Sequence, residues 1–261
     1  MPKLAVTGKG GVGKTTISSL LAYAYAELGG NVLAIDVDPS PCLAAALGFP
    51  PELVTDLVPI AKMEELILER TGAKPGTTGG YFKLNPRVDD LPDRFSVMHR
   101  GIRLLELGAV ELGGSGCICP ESAMLKSLIS HLVFYRDDLL IMDMYAGVEH
   151  LGRATAGMVD AMIVVVEPGK RSLGTAEQIA KLARDIGIRR LLLVGNKMRN
   201  AGDLDFLHRF SPGLPILGTL PATPAAVEAD VQGVPLFDAV PEMADAAREM
   251  VARLERELKE A

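Results

Sequence analysis

At 261 residues, 48% of them hydrophobic, the chain can bury a large core, and its length suits one large α/β domain or two small ones. A net charge of −6 argues against a general nucleic-acid surface, and no apolar run approaches the ~20 residues of a membrane-spanning helix. Three cysteines, an odd number, do not suggest a disulfide framework, and the chain enters its first strand with no room for a signal peptide; a cytoplasmic, reducing setting is expected.

Residues 4–6 are a short apolar run of strand type. They lead into Gly8-Lys9-Gly10-Gly11-Val12-Gly13-Lys14-Thr15-Thr16, which carries the phosphate-binding pattern G-x-x-x-x-G-K-[ST]. Residues 17–26 read as the helix that follows. Strand, loop and helix are the setting this motif requires. Its glycines let backbone N–H groups curl around a phosphate, and the helix N-terminus adds its positive end. Lys14 is expected to neutralise β- and γ-phosphate charge, and the Thr15 hydroxyl to bind Mg²⁺.

A second strand at 32–35 is closed by Asp36-Val37-Asp38-Pro39-Ser40. Cys42, in an alanine-rich run just beyond, reads as packing. Residues 75–92, with several glycines and with Pro86 and Pro92, break the rhythm. They read as an irregular insertion on a single domain spanning 1–261. Weaker strand candidates lie at 95–98 and 104–107. Gly116-Cys117-Ile118-Cys119-Pro120 precedes a helix at 124–134. If that stretch is extended, the two thiols point the same way. Two thiolates alone make a weak metal site because zinc prefers four ligands; the competing reading is two unrelated thiols in a tight turn.

A strand at 139–142 ends on Asp143-Met144-Tyr145-Ala146-Gly147. An Asp closing an apolar strand in a phosphate-loop chain normally reaches Mg²⁺ through a water, and Asp143 fits that role. Asp38 is the candidate general base for the attacking water, while Asp36 serves either Mg²⁺ or its own loop. The competing reading for each Asp alone is a helix cap or turn former.

Strands at 162–166 and 191–194 flank a helix at 176–186. The second of them runs into Gly195-Asn196-Lys197-Met198-Arg199. This is close to the base-reading N-K-x-D, with Arg199 in place of the guanine-reading carboxylate. Adenine is therefore expected, with the Asn196 amide as donor and acceptor beside Lys197. Pro221 and Pro224, after a weaker strand at 215–218, are placed to pack on the ring. Residues 243–258 share an apolar face of Met243, Ala246, Met250, Leu254 and Leu258, which reads as a helix packed on the sheet rather than on a membrane. His150 reads as exposed, and His99, His131 and His208 have no clustered partners. The strand–helix alternation predicts a doubly wound, mostly parallel sheet flanked by helices, with ligands beyond the carboxyl ends of the strands.

From about residue 4 to 237 the chain resembles the MinD/ParA/nitrogenase-iron-protein superfamily, whose deviant phosphate loop has a second lysine where Lys9 stands. Asp36-Val37-Asp38-Pro39 is similar to its switch I, and Asp143 to Gly147 to its switch II. The resemblance implies that Lys9 crosses a dimer interface to the partner's nucleotide. Residues 82–90, 116–120 and 143–151 resemble more closely the CooC-type nickel-insertion ATPases of carbon monoxide dehydrogenase, with a departure at Tyr145. That likeness implies ATP/ADP, Mg²⁺ and an ATP-promoted homodimer. It also implies Ni²⁺ or Zn²⁺ at the dimer interface on Cys117 and Cys119 of both chains. The implied client is a nickel enzyme, carbon monoxide dehydrogenase or acetyl-CoA synthase, with no nucleic-acid or membrane partner. Two other readings stay open. One is an iron–sulfur-carrying reductase, for which residues 148–157 supply no second cysteine but Cys119 substitutes. The other is a MinD/ParA-like spatial ATPase, against which the acidic balance and the cysteine pair count.

Overall fold

Side chains buried on both faces of the sheet explain why the central strands read as unbroken apolar runs rather than alternating ones. The computed structural model describes residues 1–77, 81–108, 119–145, 159–211 and 213–259. Within them the strands are β1 (Lys3–Gly8), β2 (Val32–Asp36), β3 (Val97–His99), β4 (Ile102–Glu106), β5 (Leu139–Asp143), β6 (Ala161–Val166), β7 (Leu191–Met198) and β8 (Ile216–Pro221). They form one sheet in the order β3-β4-β2-β5-β1-β6-β7-β8. Every pairing is parallel except β3 with β4.

Leu4 and Val6 pack on one face of the sheet and Ala5 on the other. The first face is covered by α1 (Lys14–Glu27) and by a C-terminal helix, Pro241–Lys259. The second is covered by α6 (Pro120–Tyr135) and α7 (Lys170–Ile186), through residues such as Met124, Leu128, Ile179 and Ala183. Shorter helices fill the connections: α2 (Leu43–Ala46), α3 (Pro51–Val54), α4 (Glu64–Thr71), α5 (Leu91–Phe95), α8 (Ala201–Phe210), α9 (Pro224–Gln232) and α10 (Leu236–Ala239), with Pro241–Lys259 as α11. The sequence pattern marks neither the short helices nor α8–α10, because runs this short show too few turns for a period to register.

The expected strand at 95–98 begins later, because Pro92 in the first turn of α5 supports a helix through Phe95. The β3–β4 hairpin then turns on Arg100 and Gly101, both with positive φ (50° and 78°), the backbone of a two-residue primed turn. Residues 75–77 and 81–90 carry no helix or strand. They are tied down all the same: Lys83 N–H donates to the Thr71 carbonyl at 2.8 Å, and Arg70 makes a bidentate contact with Asp90 at 2.7 and 2.9 Å. The α11 helix buries Met243, Met250, Val251 and Leu254, and Arg248 pins it to Glu27 of α1 at 2.7 Å. No helix among the described residues is long and apolar enough to cross a membrane.

Strand order reverses at β1: the chain steps to one side through β5, β2 and β4, and to the other through β6, β7 and β8. A crevice opens beyond the carboxyl ends of the strands at such a reversal. The phosphate loop, Asp36, Asp143 and Asn196 all lie at those ends.

Candidate nucleotide and metal site

Two glycines make the loop possible. Gly8 has φ +151°, and a Cβ there would sit 2.4 Å from the Val165 carbonyl oxygen of β6. Gly13 has φ +95°, and a Cβ there would sit 2.1 Å from Asn196 Nδ2. Between them Val12 is fully buried and pins the loop to the core. Helix α1 starts at Lys14 with neither a side-chain cap nor an acidic residue in its first turn. Its leading N–H groups and positive dipole end therefore face the loop's concavity, the arrangement that suits a phosphate. The Lys14 ammonium reaches back across the loop, 3.5 Å from the Lys9 carbonyl oxygen.

Below the loop the Thr15 hydroxyl donates to Asp143 at 2.6 Å, and Ser18, one helical turn on, donates to the other carboxylate oxygen at 3.1 Å. Burial pushes the Asp143 carboxyl up to about 7; the Thr15 hydrogen bond opposes the shift, and the nearby Asp36 charge adds to it. Oxygen donors around a carboxylate held back from ionising by burial suit a hard divalent cation, so the residues fit Mg²⁺.

Asp36 sits opposite Asp143 in the β2–β5 register and is fully buried. Its carboxylate accepts N–H groups from Asp38 at 3.0 Å and from Cys42 and Leu43 at 2.9 Å each. Of the two uses the sequence leaves for Asp36, these bonds serve the loop. Asp38 is half-buried, and its carboxylate accepts the Ser40 N–H at 2.9 Å. Cys42 corrects the sequence reading: it is exposed, and its sulfur lies 3.4 Å from the Thr15 hydroxyl. Glu106, opposite Asp36 at the end of β4, is buried and pushed up to about 7, by burial first and then by Asp36, with Lys62 opposing.

From β7, Asn196 Nδ2 donates to the Val12 carbonyl at 2.8 Å, and its Oδ1 accepts the Lys197 N–H at 2.9 Å. The amide expected to read a base thus braces the phosphate loop. Lys197 joins it, donating to the Gly11 carbonyl at 2.7 Å. Both residues, with Thr16, Pro221, Val227 and Val234, line a cavity of about 470 Å³ beside the loop. Arg199 is occupied elsewhere, paired with Asp203 at 2.9 and 3.0 Å. Sequence reasoning missed Ser18 and Glu167. Ser18 was within reach, because i and i+3 share a helix face and Thr15 was already marked. Glu167, whose carboxylate lies within 4.0 Å of both Lys9 and Lys197, had no motif to flag it.

Cys119 occupies the N-cap position of α6 in extended backbone, and its sulfur lies 3.2 Å from the Ser122 hydroxyl. Burial pushes its thiol up, with Ser122 opposing. Cys117, Gly147 and His150 lie outside the described residues, so the cysteine pair and the end of the expected switch II are not placed. Among the described residues no three His, Cys, Asp or Glu side chains converge into a group that holds a metal.

The family model for the CobQ/CobB/MinD/ParA nucleotide binding domain matches residues 3–236. The chain is 46% identical over 252 residues to the carbon monoxide dehydrogenase accessory protein CooC of Rhodospirillum rubrum, covering 97% of this chain and 95% of that protein. It is 45% identical over 236 residues to an uncharacterized ATP-binding protein of Methanocaldococcus jannaschii, covering 90% of each. In fold it is similar to the MinD cell division protein of Aquifex aeolicus, with a TM-score of 0.68 at 20% identity over 98% of both chains.

Proposed function

The chain is an ATPase of the CobQ/CobB/MinD/ParA nucleotide-binding family, and on that footing we propose that it is a dimerising metallochaperone assisting nickel insertion into carbon monoxide dehydrogenase or acetyl-CoA synthase. The observation that carries this reading is the 46% identity, over nearly the whole chain, to a carbon monoxide dehydrogenase accessory protein.

The chemistry follows from the site. The loop from Gly8 to Thr16 cradles the phosphates, with Lys14 and the first N–H groups of α1 neutralising β- and γ-phosphate charge. Mg²⁺, when bound, offsets charge on the same phosphates, and Thr15 with Asp143 would hold it. Asp36 shapes switch I through its three backbone N–H bonds, and in this reading switch I brings Asp38 to the γ-phosphate. Asp38 accepts the proton of the attacking water. The new P–O bond forms as the bond to the β–γ bridging oxygen breaks, and ADP and phosphate leave. The base lies in the cavity beside Pro221, and Asn196 and Lys197 act on the nucleotide through the loop they brace.

In the dimer, Lys9 of each chain reaches the nucleotide of the other. Cys117 and Cys119 of two chains then supply four sulfurs, enough for tetrahedral Zn²⁺ or a thiolate Ni²⁺ complex. The cargo site and the hydrolysis site are linked along one segment, since Cys119 caps α6, which leads into β5, and β5 ends at Asp143. Activation of nickel-free carbon monoxide dehydrogenase by limiting Ni²⁺ tests the function. Wild-type chain with ATP is expected to raise the activated fraction, and Lys14→Ala to lose that gain. Equal activation with and without the wild-type chain contradicts the proposal.

A further inference from the structure

Glu167 stands where β6 gives way to α7, its N–H donating to the Ser172 hydroxyl at 3.1 Å. That bond ties its backbone to the first turn of the helix. Its half-buried carboxylate faces two ammonium groups, that of Lys9 in the phosphate loop at 4.0 Å and that of Lys197 at the end of β7 at 3.8 Å. The two lysines are not equivalent. Lys197 has a second anchor in the Gly11 carbonyl and sits at φ +58°, a conformation uncommon for a residue other than glycine. Among the described residues the Lys9 ammonium has Glu167 as its one ion-pair partner within 4.0 Å.

From this geometry we infer that Glu167 is a positioning residue. It parks Lys9 over its own loop in the single chain and releases it when a second nucleotide-loaded copy docks. Lys197 stays behind as the carboxylate's counterion. The inference rests on the proposed role of Lys9 in the dimer. A carboxylate left unpaired beside the phosphates of ATP would oppose nucleotide binding by like-charge repulsion; the fixed second lysine removes that cost. The parking contact is also suitably weak. Both partners are half exposed and the charges are 4.0 Å apart, so the pair is a latch that binding energy opens readily.

The test is the dimer dissociation constant, measured by analytical ultracentrifugation with saturating non-hydrolysable ATP analogue, for wild type, Glu167→Gln, Glu167→Asp and Lys9→Ala. Two latches open per dimer, so Glu167→Gln is expected to tighten it roughly 2- to 30-fold. Glu167→Asp keeps the charge and stays near wild type. Lys9→Ala dimerises poorly. If Lys9→Ala fails to dimerise but Glu167→Gln matches wild type, the parking role is wrong and the dimer role of Lys9 stands. If Lys9→Ala dimerises normally, the Lys9 role fails first. Weaker dimers in Glu167→Gln, or equal loss of single-chain ATP affinity in both Glu167 variants, would make the residue an interface contact or a structural one and overturn the inference.

Discussion

Asp36, Asp38 and Asp143 are the same residue type near strand ends, yet their surroundings divide the labour among them. Asp36 is consumed by three backbone N–H groups and Asp143 by two hydroxyls, while the half-buried Asp38 carries a single local bond. Asp38→Ala is therefore expected to bind ATP normally and to lose about 10²-fold or more in kcat. Equal turnover would remove Asp38 from the mechanism. Glu106 makes a prediction of a different kind. The folded protein holds its proton up to about 7, against an ordinary glutamate range near 4.5. The folded state thus binds that proton more tightly than the unfolded chain does. Stability from this group is complete below about 4.5 and is lost as pH rises toward 7. Asp143 contributes in the same direction. The Tm of the nucleotide-free protein should fall between pH 5 and 7.5, and less steeply in Glu106→Gln. An unchanged slope in that variant would contradict the assignment.

At the scale of elements, the phosphate loop is held from outside itself. Val165 of β6 crowds Gly8, and Asn196 and Lys197 of β7 bond the carbonyls of Val12 and Gly11. Gly13→Ala would both force a left-handed alanine and drive a methyl into Asn196 Nδ2. It is expected to abolish nucleotide binding in a calorimetric titration while leaving the far-UV spectrum of the sheet and helices intact; normal ATP affinity would show that the bracing is dispensable. The motif itself was legible in the sequence, since its spacing is dictated by what a phosphate needs. The bracing was not. Asn196-Lys197 resembled a base reader because its local pattern is shared, and only the position of β7, two strands from β1, turns its amide toward the loop. The buried parallel strands were legible for a similar reason, as apolar runs such as those of β5 and β6 have few alternatives. The Arg100-Gly101 hairpin was not, because its turn residues lack the usual Asn-Gly or Asp-Gly signal.

At the scale of the whole molecule, the proposed cargo site and the nucleotide site lie at either end of one chain segment. Cys119 opens α6, α6 leads into β5, and β5 ends on Asp143 beneath the phosphate loop. On the proposed mechanism, movement of switch II on loss of the γ-phosphate bears on the cysteine end, and coupling between two binding sites is reciprocal by necessity. Cys119 was legible as a candidate ligand from its spacing to Cys117, but its burial and its contact with Ser122 depend on how α6 packs. The most direct measurement of the central claim is nickel binding to anaerobically prepared protein by equilibrium dialysis, with and without a non-hydrolysable ATP analogue, for wild type, Cys117→Ser and Cys119→Ser. The account predicts one Ni²⁺ per two chains, an affinity that changes with nucleotide, and loss of the metal in each variant with ATP binding retained. One tightly held Ni²⁺ per single chain, indifferent to nucleotide and unaffected by either substitution, would contradict it.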